Sequence, residues 1–261
     1  MSRFPENPTR RPAVVTGASS GIGEAVARAL AAQGHPVVLG ARRVEEMEAI
    51  AAEIRSAGGE AHVVPLDLGD PSSPSAFARE AERLLGEVEI VVSNAAMNQS
   101  GSMLTTDPED FARTLEVNVQ GNHRLLQALL PAMIERRRGD VVVVTSDVVA
   151  RPRPSMIAYV SSKWGLEGYV RTLQMELEGS GVRATVLRPG PTLTGMGMDW
   201  DPDETVAVLE EWQSWGLARH GNFMTPEGVA QGVLAVVSLP RGTHVTTIEL
   251  HPEAPLTKGS A

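Results

Sequence analysis

The chain has 261 residues, 42% of them hydrophobic and 21% charged, with 23 basic against 32 acidic side chains and a formal net charge of −9. That length can bury a sizeable core without cross-links, and the acidic balance argues against unspecific binding to nucleic acid or an anionic membrane. Cysteine is absent, which excludes disulfides and thiolate metal sites, and no uncharged apolar run approaches the roughly 18 residues of a membrane span.

Residues 1–12, MSRFPENPTRRP, form a polar, proline-rich tail without the apolar segment of a secretion signal, so a cytoplasmic protein is expected. Ala13–Thr16 is a buried strand, and a helix runs through Glu24–Gln33. Pro36–Gly40 is a second strand, Val44–Ala57 an amphipathic helix, and Ala61–Leu66 a third strand, followed by a Pro/Ser-rich turn and a helix to about Leu85. Val88–Val92 and Asp140–Thr145 are apolar strands with a long helix, Pro108 to about Arg137, between them. A helix at Ala158–Leu177, a strand at Val182–Leu187, a helix at Pro226–Ser238 and a strand at His244–Leu250 complete the pattern.

Repeated strand–helix units with continuously apolar strands predict an α/β fold: a doubly wound parallel sheet of about seven strands, in a single domain over 13–251 with 252–261 as a tail. Pro191–Thr225 is too long for an ordinary connection and is expected to be a lid. It carries Met196, Met198, Trp200, Trp212, Trp215, Phe223 and Met224, which suit a pocket for a bulky apolar substrate and equally suit packing against the domain or another subunit.

Between the first strand and first helix lies Thr16-Gly17-Ala18-Ser19-Ser20-Gly21-Ile22-Gly23. Glycines there let backbone approach a pyrophosphate, and the helix N-terminus adds amides and the positive end of its dipole. The spacing is Gly-x3-Gly-x-Gly, which differs from GxGxxG. It resembles the TGxxxGxG signature of the short-chain dehydrogenase/reductase family, and the resemblance extends over about Ala13 to Leu250. It implies a Rossmann fold and a nicotinamide-dependent oxidoreductase acting on a carbonyl or alcohol.

Tyr159-Val160-Ser161-Ser162-Lys163 matches the family's YxxxK. Positions i and i+4 share a helix face, and an ammonium beside a phenol is expected to lower its pKa towards operating pH, making Tyr159 a general acid or base. Ser146, thirteen residues earlier, stands at the family's catalytic serine, where its hydroxyl would hold the substrate oxygen; a helix or turn cap is the plainer explanation of the same residue. Asn118 matches the helix asparagine that in the family supports a water linking the lysine to solvent.

Resemblance also assigns the cofactor side: Gly17, Ser19, Ser20, Gly21, Ile22 and Gly23 in the turn, Asn94 and Ala95 after the fourth strand, and Asp67 and Leu68 near the adenine. An aspartate opening a turn explains Asp67 as well. Tyr159 and Lys163 are expected at the nicotinamide ribose, and Pro189, Gly190, Thr192 and Thr194 form the segment closing over the nicotinamide. At the end of the second strand, Ala41 stands where an NAD-preferring site carries an acid, and Arg42 and Arg43 follow. They are expected to hold a 2′-phosphate, favouring NADP(H) over NAD(H), unless both are solvated and paired with Glu45 or Glu46. Asn98, Gln99, Val148 and Ile157 are expected by analogy at the pocket mouth.

The expected reaction is hydride transfer between NADP(H) and a bulky hydrophobic ketone or secondary alcohol. The chain's ending, Val245–Pro252, looks more like relatives acting on 3-hydroxy acids or hydroxy amino acids, which gives the alternative substrate class. A cofactor-sensing binding protein without turnover is the alternative of another kind. No catalytic metal is expected, since the histidines and carboxylates are not grouped as ligands, and family analogy implies a homotetramer or homodimer.

Overall fold

In this computed structural model, the described residues are 4, 6–195, 202–217 and 220–256, with the side chains of 202–204 excepted. Met196, Met198 and Trp200, part of the expected lid, lie outside them.

The strands are β1 (Ala13–Thr16), β2 (Val37–Ala41), β3 (Ala61–Pro65), β4 (Ile90–Ser93), β5 (Gly139–Val144), β6 (Val182–Pro189) and β7 (Thr247–Leu250). They form one seven-stranded sheet in the order β3-β2-β1-β4-β5-β6-β7, with every neighbouring pair parallel. The helices are α1 (Gly21–Ala32), α2 (Val44–Ser56), α3 (Ser73–Leu85), α4 (Pro108–Leu115), α5 (Asn122–Glu135), α6 (Ile157–Glu176), α7 (Pro202–Ser214) and α8 (Pro226–Val237). This is the α/β Rossmann-like arrangement that the sequence pattern predicts.

Alternation along the strands divides the core into two layers. On β1, Ala13 and Val15 pack with side chains of α1, α2 and α8, such as Leu30, Ile50 and Val233. Val14 between them packs on the other face with Phe77 of α3, Leu125 and Leu129 of α5, and Leu166 of α6. Both faces are covered, which is why the strands show no polar alternation.

Two expectations need correction. The single helix over Pro108–Arg137 is α4, a π-helical turn at Glu116–Gly121 and α5 in succession; Asn118 and Asn122 are both buried there and hydrogen-bonded. Within the lid, the helix α7 escaped the sequence reading. Val208, Trp212 and Trp215 stand at i, i+4 and i+7, a helical spacing that the sequence reading passed over, while Val206 lies off that face and is 57% exposed.

The strand order reverses between β1 and β4, and in open parallel sheets ligands bind beyond the carboxyl ends of strands at such a point. The segments leaving that end carry Gly17 after β1, Arg42 after β2, Asn94 after β4, Ser146 after β5 and Gly190 after β6. The opposite end is tied by buried charges. Arg11, just before β1, donates to Glu89 (Nε to Oε2, 3.3 Å) and to the Val237 carbonyl at 2.7 Å, and also bonds Asp140 on β5. Arg183 of β6 meets the same Asp140 at 2.6 and 3.0 Å.

Candidate active site

The turn after β1 folds as it does because its glycines are required. Gly17 has φ +66°, and a Cβ on Gly23 would lie 2.3 Å from the Gly17 carbonyl oxygen. Any side chain at position 23 would therefore open the turn. The N-cap of α1, Ser20, is extended and makes no side-chain cap bond, so the first amides of α1 are left to whatever occupies the space beyond them. Asn94 braces this turn to β4: its backbone N–H donates to Thr16 Oγ1 at 2.9 Å and its Nδ2 to the Thr16 carbonyl at 3.0 Å.

A cleft of about 880 Å³ opens over these strand ends. Its wall includes Gly17, Ser19, Ser20, Gly21, Ile22, Arg42, Arg43, Asp67, Leu68, Asn94, Ala95, Ser146, Tyr159, Lys163, Pro189, Gly190, Thr192 and Thr194. Gly23 and Asn118 stand behind the wall, and of the expected mouth residues Asn98, Gln99 and Val148 line the cleft while Ile157 does not. Ile157 is the first residue of α6, so its position follows the helix start and not the loop before it.

Arg42 is exposed and makes no ion pair or hydrogen bond among the described residues. Arg43 is engaged. Its Nε and NH2 donate to Ser19 Oγ at 3.2 and 3.1 Å, NH2 also donates to Ser20 Oγ at 2.7 Å, and Glu46 lies 3.9 Å from NH1. The glycine turn has no basic residue of its own, yet Arg43 lays a guanidinium on it. Asp67 does open a turn, Oδ1 accepting from Gly69 N–H at 2.9 Å, and Thr192 donates to the Gly190 carbonyl at 2.9 Å.

Tyr159 and Lys163 lie one turn apart on α6, both buried. Ser146 caps the short 3₁₀ turn Asp147–Val149, accepting from Val148 N–H at 3.3 Å, and donates to Asp147 Oδ1 at 3.3 Å. It is thus a cap, and it also lies close enough to the Tyr159 phenol to lower its pKa. Behind the site, Asn118 accepts from Met97 N–H at 2.8 Å and donates to the Met97 carbonyl and to Ser162 Oγ, each at 2.9 Å. Ser162 in turn donates to the Tyr159 carbonyl at 2.7 Å, so this amide fastens the loop after β4 to the helix carrying the phenol.

The expected depression of the Tyr159 pKa is not what the structure contains. Burial pushes the phenol up to about 12; the Ser146 hydroxyl opposes that rise, the Asp147 carboxylate adds to it, and Arg153 counters it. Lys163 donates to the Val144 carbonyl at 2.9 Å, its amine 5.5 Å from the phenol ring centre. Burial brings this ammonium down to about 7, so much of its leverage on the phenol is lost to desolvation.

This sets a pH dependence of stability. Between about pH 7 and 10, unfolded chains hold the Lys163 proton and folded ones release it, so unfolding becomes less favourable as pH rises. Lys163→Met is expected to be more stable than the wild type at pH 6–7, by a few kcal/mol at most, and to lose that advantage by pH 10. Urea unfolding of both proteins at pH 6, 8 and 10 checks this; a constant difference would contradict it.

Sequence reasoning missed Asp147, Arg153 and Met156, all in the wall. An aspartate directly after the serine and an arginine six before the tyrosine were the available signals. Trp212 of α7 also lines the cleft, packed with Val148, Met156 and Tyr159, whereas Trp215 is 72% exposed. Among the described residues, no group of His, Cys, Asp or Glu could hold a metal ion, and no helix is long and apolar enough to cross a membrane.

A family model described as short chain dehydrogenase matches residues 11–205. The 2,3-dihydro-2,3-dihydroxybenzoate dehydrogenase of Bacillus subtilis is 31% identical over 251 residues, 95% of this chain and 96% of that protein. An alcohol dehydrogenase from the archaeon Thermococcus sibiricus, solved with 5-hydroxy-NADP, is 34% identical with a TM-score of 0.80, covering 95% of this chain and 100% of the other. The glycine betaine reductase of Emericella nidulans is 32% identical over 97% of this chain, which spans only 19% of that protein's length.

Proposed function

The chain belongs to the short chain dehydrogenase family and is an NAD(P)-dependent oxidoreductase, and from that premise we propose that it exchanges a hydride between NADP(H) and a ketone or secondary alcohol with an apolar body. The observation that carries this reading is the convergence of Ser146, Tyr159 and Lys163 with the glycine turn on one cleft. Ser146 orients the substrate oxygen, Tyr159 gives it a proton in reduction or removes one in oxidation, and Lys163 holds the ribose side.

The turn Gly17–Gly23 and the start of α1 fit a pyrophosphate, since the backbone is stripped of side chains where the α1 amides emerge. Asp67, Leu68 and Ala95 would flank the adenosine half, with Thr192 and Thr194 at the carboxamide end. When bound, the nicotinamide supplies the hydride. Arg42, unpartnered and beside the cleft, supports the choice of a 2′-phosphorylated cofactor, as does the 5-hydroxy-NADP held by the archaeal relative.

Arg42→Ala is expected to lower the NADPH-over-NADH ratio of kcat/KM by about tenfold or more, since a hydrogen bond between charged groups contributes roughly 1.5–3 kcal/mol. An unchanged ratio would return the cofactor preference to open. Assembly through α6 is part of the same reading, supported by Trp164 and Met175 standing 53% and 73% exposed on it. The deciding experiment gives NADPH and NADH separately to a library of ketones and follows reduced-nicotinamide absorbance. No oxidation with any carbonyl, despite measurable cofactor binding, would refute the reaction.

A further inference from the structure

On the substrate side the cleft presents an apolar group, Val148, Met156, Leu209, Trp212 and Leu217, in its wall. The same wall contains a buried ion pair. Arg153 NH1 lies 3.1 Å from Asp147 Oδ1 and NH2 2.5 Å from Oδ2, with the side chains 10% and 4% exposed. Burying such a pair is at best neutral against apolar side chains of similar volume, so stability does not account for its place in a cleft.

Arg153 is held from several sides. Asp147 takes one hydrogen from each terminal nitrogen, and the Trp212 ring centre lies 5.2 Å from the guanidinium carbon. Trp212 is itself fixed by Nε1 donating to the Pro154 carbonyl at 3.2 Å. A guanidinium has five N–H donors, so Nε–H and the outer hydrogens remain. They have no partner among the described residues, and Nε is open to solvent space.

Arg153 also borders a recess of about 30 Å³ whose wall includes Asp147, Arg151, His220, Asn222 and His251 beside Pro191, Leu217 and Pro252. Asp147, Arg153, His220 and Asn222 line the main cleft as well, so the recess is an annexe of it. By the room one water needs, its volume suits a group of about two waters, the size of a carboxylate. Arg151 has no acid partner among the described residues, which leaves Arg151, Arg153 and Asp147 with one positive charge in excess.

We propose that Arg153, backed by Arg151, forms an anion subsite that takes a carboxylate carried by the ketone or alcohol substrate. Asp147 is the positioning residue. It aims the guanidinium and accepts the Ser146 hydroxyl at 3.3 Å, so one side chain sets both the anchor of the carboxylate and the partner of the reacting oxygen. The apolar wall then receives the rest of the molecule. This inference rests on the proposed hydride-transfer reaction and names its substrate class: an oxo acid or hydroxy acid with an apolar body.

The test compares reduction of benzoylpropionate with that of its methyl ester, which differ in one charge. The wild type is expected to favour the acid tenfold or more in kcat/KM. The double variant Asp147→Asn/Arg153→Met, which strands no lone buried charge, is expected to bring that preference close to one. Arg153→Lys should keep part of it, because the ammonium retains the charge without the fork. Equal handling of acid and ester by the wild type, or an equal loss on both in the double variant, overturns the subsite. Calorimetric titration of the NADP-loaded protein with benzoate is read in parallel, with binding expected to weaken at least tenfold in the double variant. Benzoate binding that survives the double substitution also overturns the subsite. Benzoate binding that requires Arg153, in a protein that reduces no ketone, supports the subsite and refutes the reaction.

Discussion

Tyr159→Phe is expected to lower kcat for ketone reduction by about a thousandfold, within the 10²–10⁴ range of a general acid, while NADPH binding stays within about twofold. The phenol is 7% exposed and packs with Val148, Met156 and Trp212, so the phenyl ring fills the same space. What disappears is one hydroxyl. Ser146 keeps its bonds to Asp147 and to Val148 N–H, so the site should keep its shape. Because burial holds the phenol near 12, it is fully protonated across the working range, the state a reductase needs. Steady-state turnover and a fluorescence titration with NADPH give the two numbers. A kcat within fivefold of wild type would mean that another group delivers the proton.

The second large effect is expected far from the chemistry. Arg11→Leu should destabilise the fold by about 3–5 kcal/mol, the usual result of removing one member of a buried charge cluster. Arg11 is 2% exposed, and its partners Glu89 and Asp140 are 0% and 2% exposed. Without it, Glu89 keeps Arg138 and Asp140 keeps Arg183 as the ion-pair partners among the described residues, so both carboxylates stay buried with less compensation. The Val237 carbonyl also loses its donor. For a chain of this length, 1 kcal/mol corresponds to roughly 2–4 °C, so the melting temperature should fall by about 6–20 °C. A shift below about 2 °C would show that Arg138 and Arg183 alone neutralise the cluster.

Much of this molecule was legible before its structure. The strands announced themselves as short apolar runs because both faces of the sheet are covered, and each helix packed on the sheet buries a stripe. The glycine turn and the Tyr159–Lys163 pair were legible because each keeps a fixed spacing within a short stretch of chain, and Ser146 because it stands at a set distance before Tyr159. What stayed hidden depends on contacts between distant segments. Nothing near Asn118 shows that it braces Met97 and Ser162. The direction of the Tyr159 shift was misjudged because burial, which no local pattern reports, outweighs the neighbouring ammonium. Arg153 becomes noticeable only when Asp147 and Trp212 are seen around it.

The widened turn at Glu116–Gly121 has a consequence for the length of the chain there. Before it, α4 buries only Thr114; after it, α5 buries Asn122, Leu125, Leu126, Leu129, Leu130 and Met133. A π turn holds one residue more than an α turn over the same arc, so the loss of one residue between Leu115 and Asn122 can be taken up by tightening to α geometry, with the leucines of α5 still seated on the sheet. The same loss inside α5 has no such slack and would rotate everything beyond it by about 100°. What the wide turn cannot give up is Asn118, whose side chain holds Met97 and Ser162.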